Sequence, residues 1–408
     1  MEEEKVYSYR WVILVLAFLV HCGLQVALII TMGMGGLLMS PAVGLSVVEF
    51  SMLATIPYIT GFLFGLVGGA WADRKSIRHV MIIALAIASV GAIVRAVTMN
   101  YAVMLGGSFL LGLSLAALNA NSAKLFRLWF PGKWTSIAMG VYILGATAGG
   151  GAIAMKVGPI LDNPQTGFII GAACTVACLV LWILLGRTYP DGETLDSTEP
   201  MTAYLGEVLK NKYVWIISFV MFFAFGASIA ENSYLVSGLV AITGDPELSG
   251  NIGAVNMVAV GIGGVAMPSL LAKAKNLKVI FFIAAVLMGL SNIVIFMLPI
   301  GAITFIIVIL QGVFMGLILP IGKTLPAVIP GVKPEHLGAV GGVQSSFQNL
   351  GAGLLPAYVV APLAGVLGGG SPTALMVGTG FLVIFGGLFM LALPKGTNAV
   401  SAVQVDEA

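Results

Sequence analysis

Charge is scarce in this chain. Asp, Glu, Lys and Arg make up 9% of its 408 residues, against about 25% in an ordinary soluble protein, which argues against a surface mainly in water. Only three cysteines, Cys22, Cys174 and Cys178, are present. All fall in apolar stretches with no metal-site spacing or pairing pattern, so they are expected as packing residues. There is no phosphate-cradling loop and no soluble stretch large enough to hold a nucleotide, which argues against ATP drive. No nucleophile or metal-ligand constellation suggests an enzyme, and neither a metal nor another cofactor is expected. The net charge of +2 makes no case for nucleic acid.

What the chain has instead is apolar length. Hydrophobic residues are 59% of the total, and a bilayer-spanning helix needs about 20 of them in sequence, because lipid offers no partner to a bare backbone N–H or C=O. Twelve such runs are present: 11–32, 50–72, 80–99, 101–123, 136–155, 167–186, 214–236, 248–271, 279–298, 302–322, 337–363 and 374–393. The flank of the first run, Met1-Glu2-Glu3-Glu4, is acidic where a cleaved signal is basic, so this segment is expected to remain on the chain. If both termini lie in the cytoplasm, 17 of the 19 Lys and Arg residues fall on the cytoplasmic side, as the positive-inside rule requires. Only Arg95 and Lys156 fall outside it, and Arg95 is expected among lipid headgroups. The expected location is the cell membrane, multi-pass, with both termini cytoplasmic.

An internal repeat divides the chain. "YRWVI" at Tyr9–Ile13 opens span one, and "YVWII" at Tyr213–Ile217 opens span seven, 204 residues later. "KSIR" and "KNLK" follow spans two and eight at an offset of 200, and Lys124 and Lys323 each begin a Lys-x6-Pro-Gly pattern at an offset of 199. Three signals in order at nearly one offset imply two copies in parallel orientation. The expected organisation is a six-helix half at 1–186, a cytoplasmic linker at 187–212, and a second half at 213–408. The expected fold is an all-α membrane protein of twelve transmembrane helices in two pseudo-symmetric halves.

After span two stands "GGAWADRKSIRHV". Its Gly69, Asp73, Arg74 and Arg78 match a loop motif of the major facilitator superfamily, although Ser76 stands where that family usually has Gly. The chain resembles this superfamily throughout, including "WFPGKW" after span four and the glycine-rich span five, and it is similar in look to branches that carry organic anions. The resemblance implies a monomeric secondary transporter with a small-molecule substrate site between the halves. It also implies that spans three, six, nine and twelve lie outside the cavity. Two departures count against drug export. Ser108 stands where many proton-coupled exporters have Arg, and "GVYILGATAGGGAIAM" lacks their Gly-Pro pair.

Polar groups inside a span are costly, so each is a functional candidate. Glu231 is the one carboxylate inside span seven, expected as a proton-coupling group or in a bond to Tyr234 or a pair with Lys156. His21, near the middle of span one, suits proton coupling or a bond to a neighbouring carbonyl. It is expected to share one cavity with Gln25 and Glu231. Gln344 and Gln348 share a face of span eleven and are expected to contact substrate, with Asn119, Asn256, Gln311 and Lys156 as further candidates. Lys124 and Lys323, at equivalent ends of spans four and ten, would attract an anion, close a gate or simply anchor the helices. The reading is a secondary transporter of a small organic anion, such as a carboxylate, coupled to protons. An exporter of the same fold and a non-transporting membrane sensor are the alternatives.

Overall fold

In the computed structural model of the protein, residues 7–74, 76–130, 134–188, 204–271, 276–327, 329–333 and 336–394 are described. Among them there is no strand. Twelve helices are long and apolar enough to cross a bilayer. We label them α1 (Arg10–Gly33), α2 (Val47–Arg74), α3 (Ile77–Val97), α4 (Tyr101–Trp129), α5 (Trp134–Leu144, continued through Gly145–Gly151, Ala152–Val157 and Gly158–Ile160) and α6 (Pro164–Leu185). The second six are α7 (Lys212–Thr243), α8 (Pro246–Leu271), α9 (Leu277–Val294), α10 (Ala302–Thr324), α11 (Leu337–Leu354, continued through Leu355–Val360 and Ala361–Gly368) and α12 (Pro372–Leu391). All twelve expected runs are helices. The linker expected at 187–212 is described only at its ends, where Leu205–Val208 is a short helix.

Local chemistry marks the helix ends. Ser76, Asn100, Asn163, Asn211 and Ser371 each accept a backbone N–H from the first turn of α3, α4, α6, α7 and α12, satisfying donors that have no intrahelical partner. Gly244, at φ +66°, ends α7 in a left-handed conformation that a side chain would strain.

The packing carries the repeat into three dimensions. α1 lies on α6, α3 on α6, α2 on α4 and α3 on α4. The second half reproduces each pairing six helices later, as α7 on α12, α9 on α12, α8 on α10 and α9 on α10. Between the halves, α2 meets α11 and α5 meets α8.

Both α5 and α11 contain a π-helical stretch, at Gly145–Gly151 and Leu355–Val360. An added residue per turn re-aims a helix locally and is frequent at functional sites. In α5 this stretch brings backbone onto backbone. A Cβ on Gly150 would lie 2.1 Å from the Cys22 carbonyl oxygen of α1, whereas one on Gly140 would meet nothing nearer than 3.7 Å. Gly150→Val is therefore expected to cost about 3 kcal/mol or more through overpacking, and Gly140→Val little. Thermal unfolding of the two purified variants side by side checks this.

One end of the molecule is sealed. Along α1 every residue from Gly23 to Gly33 is buried, while Trp11, Val12, Val15 and Leu19 in its first half are exposed. α7 follows suit, with Gly226–Leu239 buried except for Asn232, and Phe219 exposed. The open end is the one where α1 and α7 begin and the basic residues collect, here called the basic face. At the sealed end the Tyr234 hydroxyl of α7 donates to the Pro356 carbonyl of α11 at 2.7 Å and lies 2.7 Å from Ser51 Oγ of α2. Toward the basic face, a crevice of about 300 Å³ opens between α2 and α11, lined in part by Phe62, Val343 and Phe347.

Candidate functional site

Small residues first bring two helices together. Gly263, Gly312 and Gly316 set α8 and α10 in backbone contact, a Cβ on Gly312 falling 2.6 Å from the Asn256 carbonyl oxygen. At that distance the Asn256 side chain spans both neighbours. Its Nδ2 donates to Glu231 Oε1 of α7 at 3.0 Å and to the Val308 carbonyl of α10 at 3.2 Å. Asn292 of α9 donates to the other carboxylate oxygen at 3.3 Å, and Gln311 Nε2 of α10 donates to Asn292 Oδ1 at 2.6 Å.

The result is a carboxylate held by amides from two other helices, with Gln311 of a third behind Asn292. Glu231 is 3% exposed, Asn256 1%, and Asn292 and Gln311 are fully buried. Among the described residues no cation lies within ion-pairing distance of Glu231. Twelve residues before Thr243, it sits about 18 Å in from the sealed end of α7. Both of its oxygens accept N–H donors, the pattern that stabilises an ionised carboxylate, yet the net charge of the cluster is unbalanced. Gln311 Oε1 is buried with no partner.

The expected bond from Glu231 to Tyr234 is not formed, because the Tyr234 hydroxyl is committed to Pro356 and Ser51. Nor is a pair with Lys156 formed. That side chain is exposed on α5 near the sealed end, where its carbonyl packs against Gly250 of α8.

His21 and Gln25 belong to a different place, the contact of α1 with α5. The His21 ring stacks on Tyr142 with centroids 3.9 Å apart, and its Nδ1 lies 2.9 Å from the Tyr142 carbonyl oxygen. A carbonyl can only accept, so Nδ1 carries the proton and Nε2 is left to accept from Gln25 Nε2 at 3.4 Å. The expectation that His21, Gln25 and Glu231 group together is thus corrected. Helix α7 turns Glu231 into its own half, toward α8, α9 and α10.

The amide-rich stretch of α11 is interleaved with Val343 and Phe347, which line the crevice. Gln344, fully buried, donates to the Gly322 carbonyl of α10 at 2.7 Å, while Ser345, Gln348 and Asn349 are half-buried. The amide oxygens of Gln344 and Gln348 have no partner. Lys323 is exposed at the basic-face end of α10, and its ammonium donates to Ser345 Oγ at 3.0 Å. Asn119 is exposed in α4, and Lys124 is half-buried one to two turns further on.

In the loop motif, Gly69, Asp73 and Arg74 fall in the last turns of α2, with side chains outside the described residues. Arg78 is described. Its guanidinium donates to the Ile183 carbonyl at 2.8 Å and its backbone N–H to Thr188 Oγ1 at 2.9 Å, tying α3 to the end of α6.

Two functional-looking residues stand where the sequence reading placed lipid-facing helices. Asn292 on α9 went unrecognised, although one carboxamide in "LMGLSNIVIF" carries the same penalty in lipid as those in α8 and α10. Arg95 on α3, expected among headgroups, is 2% exposed. Its guanidinium donates to the Ala27 carbonyl at 3.1 Å and to Thr31 Oγ1, both on α1, and lies 4.4 Å from the Phe168 ring centroid. Gly107 makes room for it, since a Cβ there would lie 2.6 Å from Arg95 Cγ.

By the repeat, Ala27 is the counterpart of Glu231. The α1–α3 contact is therefore built around a buried cation and the α7–α9 contact around a buried anion. Arg95→Met is expected to cost about 1–3 kcal/mol by leaving the α1 acceptors unsatisfied, read as a lower unfolding temperature of the purified protein.

Comparison with known proteins agrees with this architecture. The chain is 23% identical over 322 residues to the "Nitrite extrusion protein" of Bacillus subtilis (strain 168), covering 77% of each chain. It is 24% identical over 349 residues to the "Probable nitrate/nitrite antiporter NarK1" of Thermus thermophilus, covering 77% of this chain and 76% of that one. A bacterial homologue of the human lysosomal transporter Spinster, solved in an inward-facing and unoccupied conformation, superposes with a TM-score of 0.75 at 15% identity, over 98% of both chains. The sequence model of the Major Facilitator Superfamily matches residues 11–356, and the chain belongs to that superfamily of transporters.

Proposed function

We propose that this transporter moves a small organic anion, of the carboxylate class, by alternating access coupled to a proton taken up at Glu231. The observation that carries this reading is the Glu231 carboxylate, buried in the middle of a membrane half with amide donors and no described counter-charge. A bare charge in such a place is costly. Neutralising it by protonation changes the free energy of the buried state, which couples ion binding to conformation. The basic face is read as cytoplasmic, which makes this conformation open to the cytoplasm. The halves 1–186 and 213–408 then rock about the α2–α11 and α5–α8 contacts, with 187–212 as the tether between them.

Lys323 supplies the positive charge that an anion entering from the basic face would meet. Ser345 of α11 accepts from it, and Gln348 lies one turn further along α11. The unpartnered Gln348 oxygen calls for a hydrogen-bond donor, which a hydroxy acid offers and a bare inorganic oxyanion does not. A second reading, exchange of nitrite or nitrate, is favoured by the names of the two relatives at 23% and 24% identity.

Parallel batches of proteoliposomes, loaded with a radiolabelled carboxylate or with labelled nitrite and challenged with lactate, glycolate, acetate, nitrite, nitrate, a sugar and a cationic drug, separate the readings. Hydroxy acids are expected to drive exchange best. Exchange with nitrite and nitrate alone would transfer the assignment to the second reading, and binding without flux would make the chain a sensor. Lys323→Ala is expected to raise KM by about tenfold or more, since hydrogen bonds to charged groups are worth about 1.5–3 kcal/mol. The proton-to-substrate ratio is expected to stay unchanged. Initial rates at graded substrate and pH measure both.

A further inference from the structure

We propose that the cluster of Glu231, Asn256, Asn292 and Gln311 also binds a dehydrated monovalent metal cation, Na⁺ by charge and hardness, in competition with the proton. The inference rests on the reading of Glu231 as the coupling group and adds the ion that can replace the proton there. Its basis is a mismatch in the cluster's own hydrogen bonding. Both carboxylate oxygens accept N–H donors, which favours the ionised form of the side chain. Gln311 Oε1 meanwhile is fully buried and has no donor at all. A cluster with one negative charge and a spare acceptor lacks a positive centre, and one without N–H geometry of its own completes it.

The ligand chemistry selects the ion. The cluster offers the two carboxylate oxygens, Gln311 Oε1 and, once the Asn256 carboxamide turns, its own oxygen and the Val308 carbonyl to which its NH₂ now donates. All are hard oxygen donors, with no imidazole or thiolate among them, a set that suits a hard main-group cation and disfavours transition metals. One carboxylate balances one positive charge, whereas a divalent ion would leave a net charge in a low-dielectric interior.

The empty site is also held in a form that can be converted. Turning the Asn256 carboxamide by 180° exchanges its NH₂ for an oxygen and releases the Val308 carbonyl, while Asn292 keeps its bond from Gln311. The Asn256 amide hydrogen that now faces the carboxylate thus stands in for the cation and is displaced when it enters. The oxygen ligands come from α7, α8 and α10, so occupancy bears on how the second half packs.

Among the described residues no other titratable side chain faces this carboxylate. Tyr234 on α7 is engaged with α2 and α11. Glu247 lies in the first turn of α8 and Lys323 in the last turn of α10, and His21 on α1 is held by Tyr142.

The test uses the purified full-length chain and Na⁺ itself. At pH 8, NaCl is expected to raise the thermal unfolding midpoint above that in choline chloride at equal ionic strength, because a ligand bound only by the folded state stabilises it. Once the pH falls into the range where Glu231 is protonated, the half-effective Na⁺ concentration is expected to rise by about tenfold per pH unit, as one-for-one competition requires. Glu231→Gln is expected to abolish the Na⁺ response. Gln311→Leu, which keeps the carboxylate, is expected to weaken it by about tenfold or more.

No Na⁺-specific shift in the wild type, or an equal shift in Glu231→Gln, overturns the sodium site. The proton reading is tested separately, by accumulation under a pH gradient without Na⁺, so it stands or falls on its own result.

Discussion

Glu231→Gln is expected to abolish concentrative transport while leaving exchange intact. With one proton per monovalent anion, each unit of pH gradient supplies about 1.4 kcal/mol, enough for about tenfold accumulation. The variant is expected to equilibrate substrate at a ratio near one. Gln keeps the size of Glu and its oxygen can still accept from one of the two amides, Asn256 or Asn292, so the fold is expected to survive, and counterflow of labelled against unlabelled substrate checks that it does. Charge adds a second signature. A proton and a monovalent anion together are electroneutral, so wild-type accumulation should ignore a membrane potential clamped by potassium and valinomycin, whereas the variant, carrying the anion alone, should respond to it. Full pH-driven accumulation by Glu231→Gln would sink the assignment of Glu231.

A cross-link at the sealed end is expected to have the other large effect. Gly36, in the short helix after α1, places a Cβ 3.8 Å from Val240 Cβ of α7, which matches the mean separation in a disulfide. In a chain with its three cysteines replaced by alanine, Gly36→Cys with Val240→Cys is expected to oxidise readily and hold the first half against the second. Transport should fall to background on oxidation and return on adding a thiol reductant, because rocking requires this end to open. Flux that persists in fully cross-linked protein would mean that the ends of α1 and α7 stay together through the cycle. Each single cysteine variant, under the same oxidant, gives the baseline.

Both expectations draw on features of very different legibility. That α7 is a helix, that it spans, and that its one internal carboxylate is exceptional all follow from "FGASIAENSYLV" set in an apolar run. Its partners do not. Asn256 and Gln311 were visible as isolated amides in spans eight and ten, but nothing in either stretch says that Gly263, Gly312 and Gly316 bring those helices into backbone contact at that depth. Arg95 was expected among headgroups because helix three was expected outside the cavity, and Asn292 on helix nine was not singled out at all. A helix far from the cavity still has one face toward its own half, and those are the faces that carry these two residues.

The residues alone determined the spans, their repeat and the basic asymmetry of the loops. Each depends on a cost paid residue by residue along the chain: lipid penalises bare backbone and exposed charge wherever they occur. Rotation about each helix axis was left to the tertiary structure. It decides whether a polar side chain meets lipid, the opening or a neighbouring helix, and it is set by close contacts such as Gly150 on Cys22 and Gly107 on Arg95. On α7, where Gly226 packs on Gly351 of α11 and Gly238 on Phe296, Glu231 meets Asn256 and Asn292 rather than His21 or Lys156.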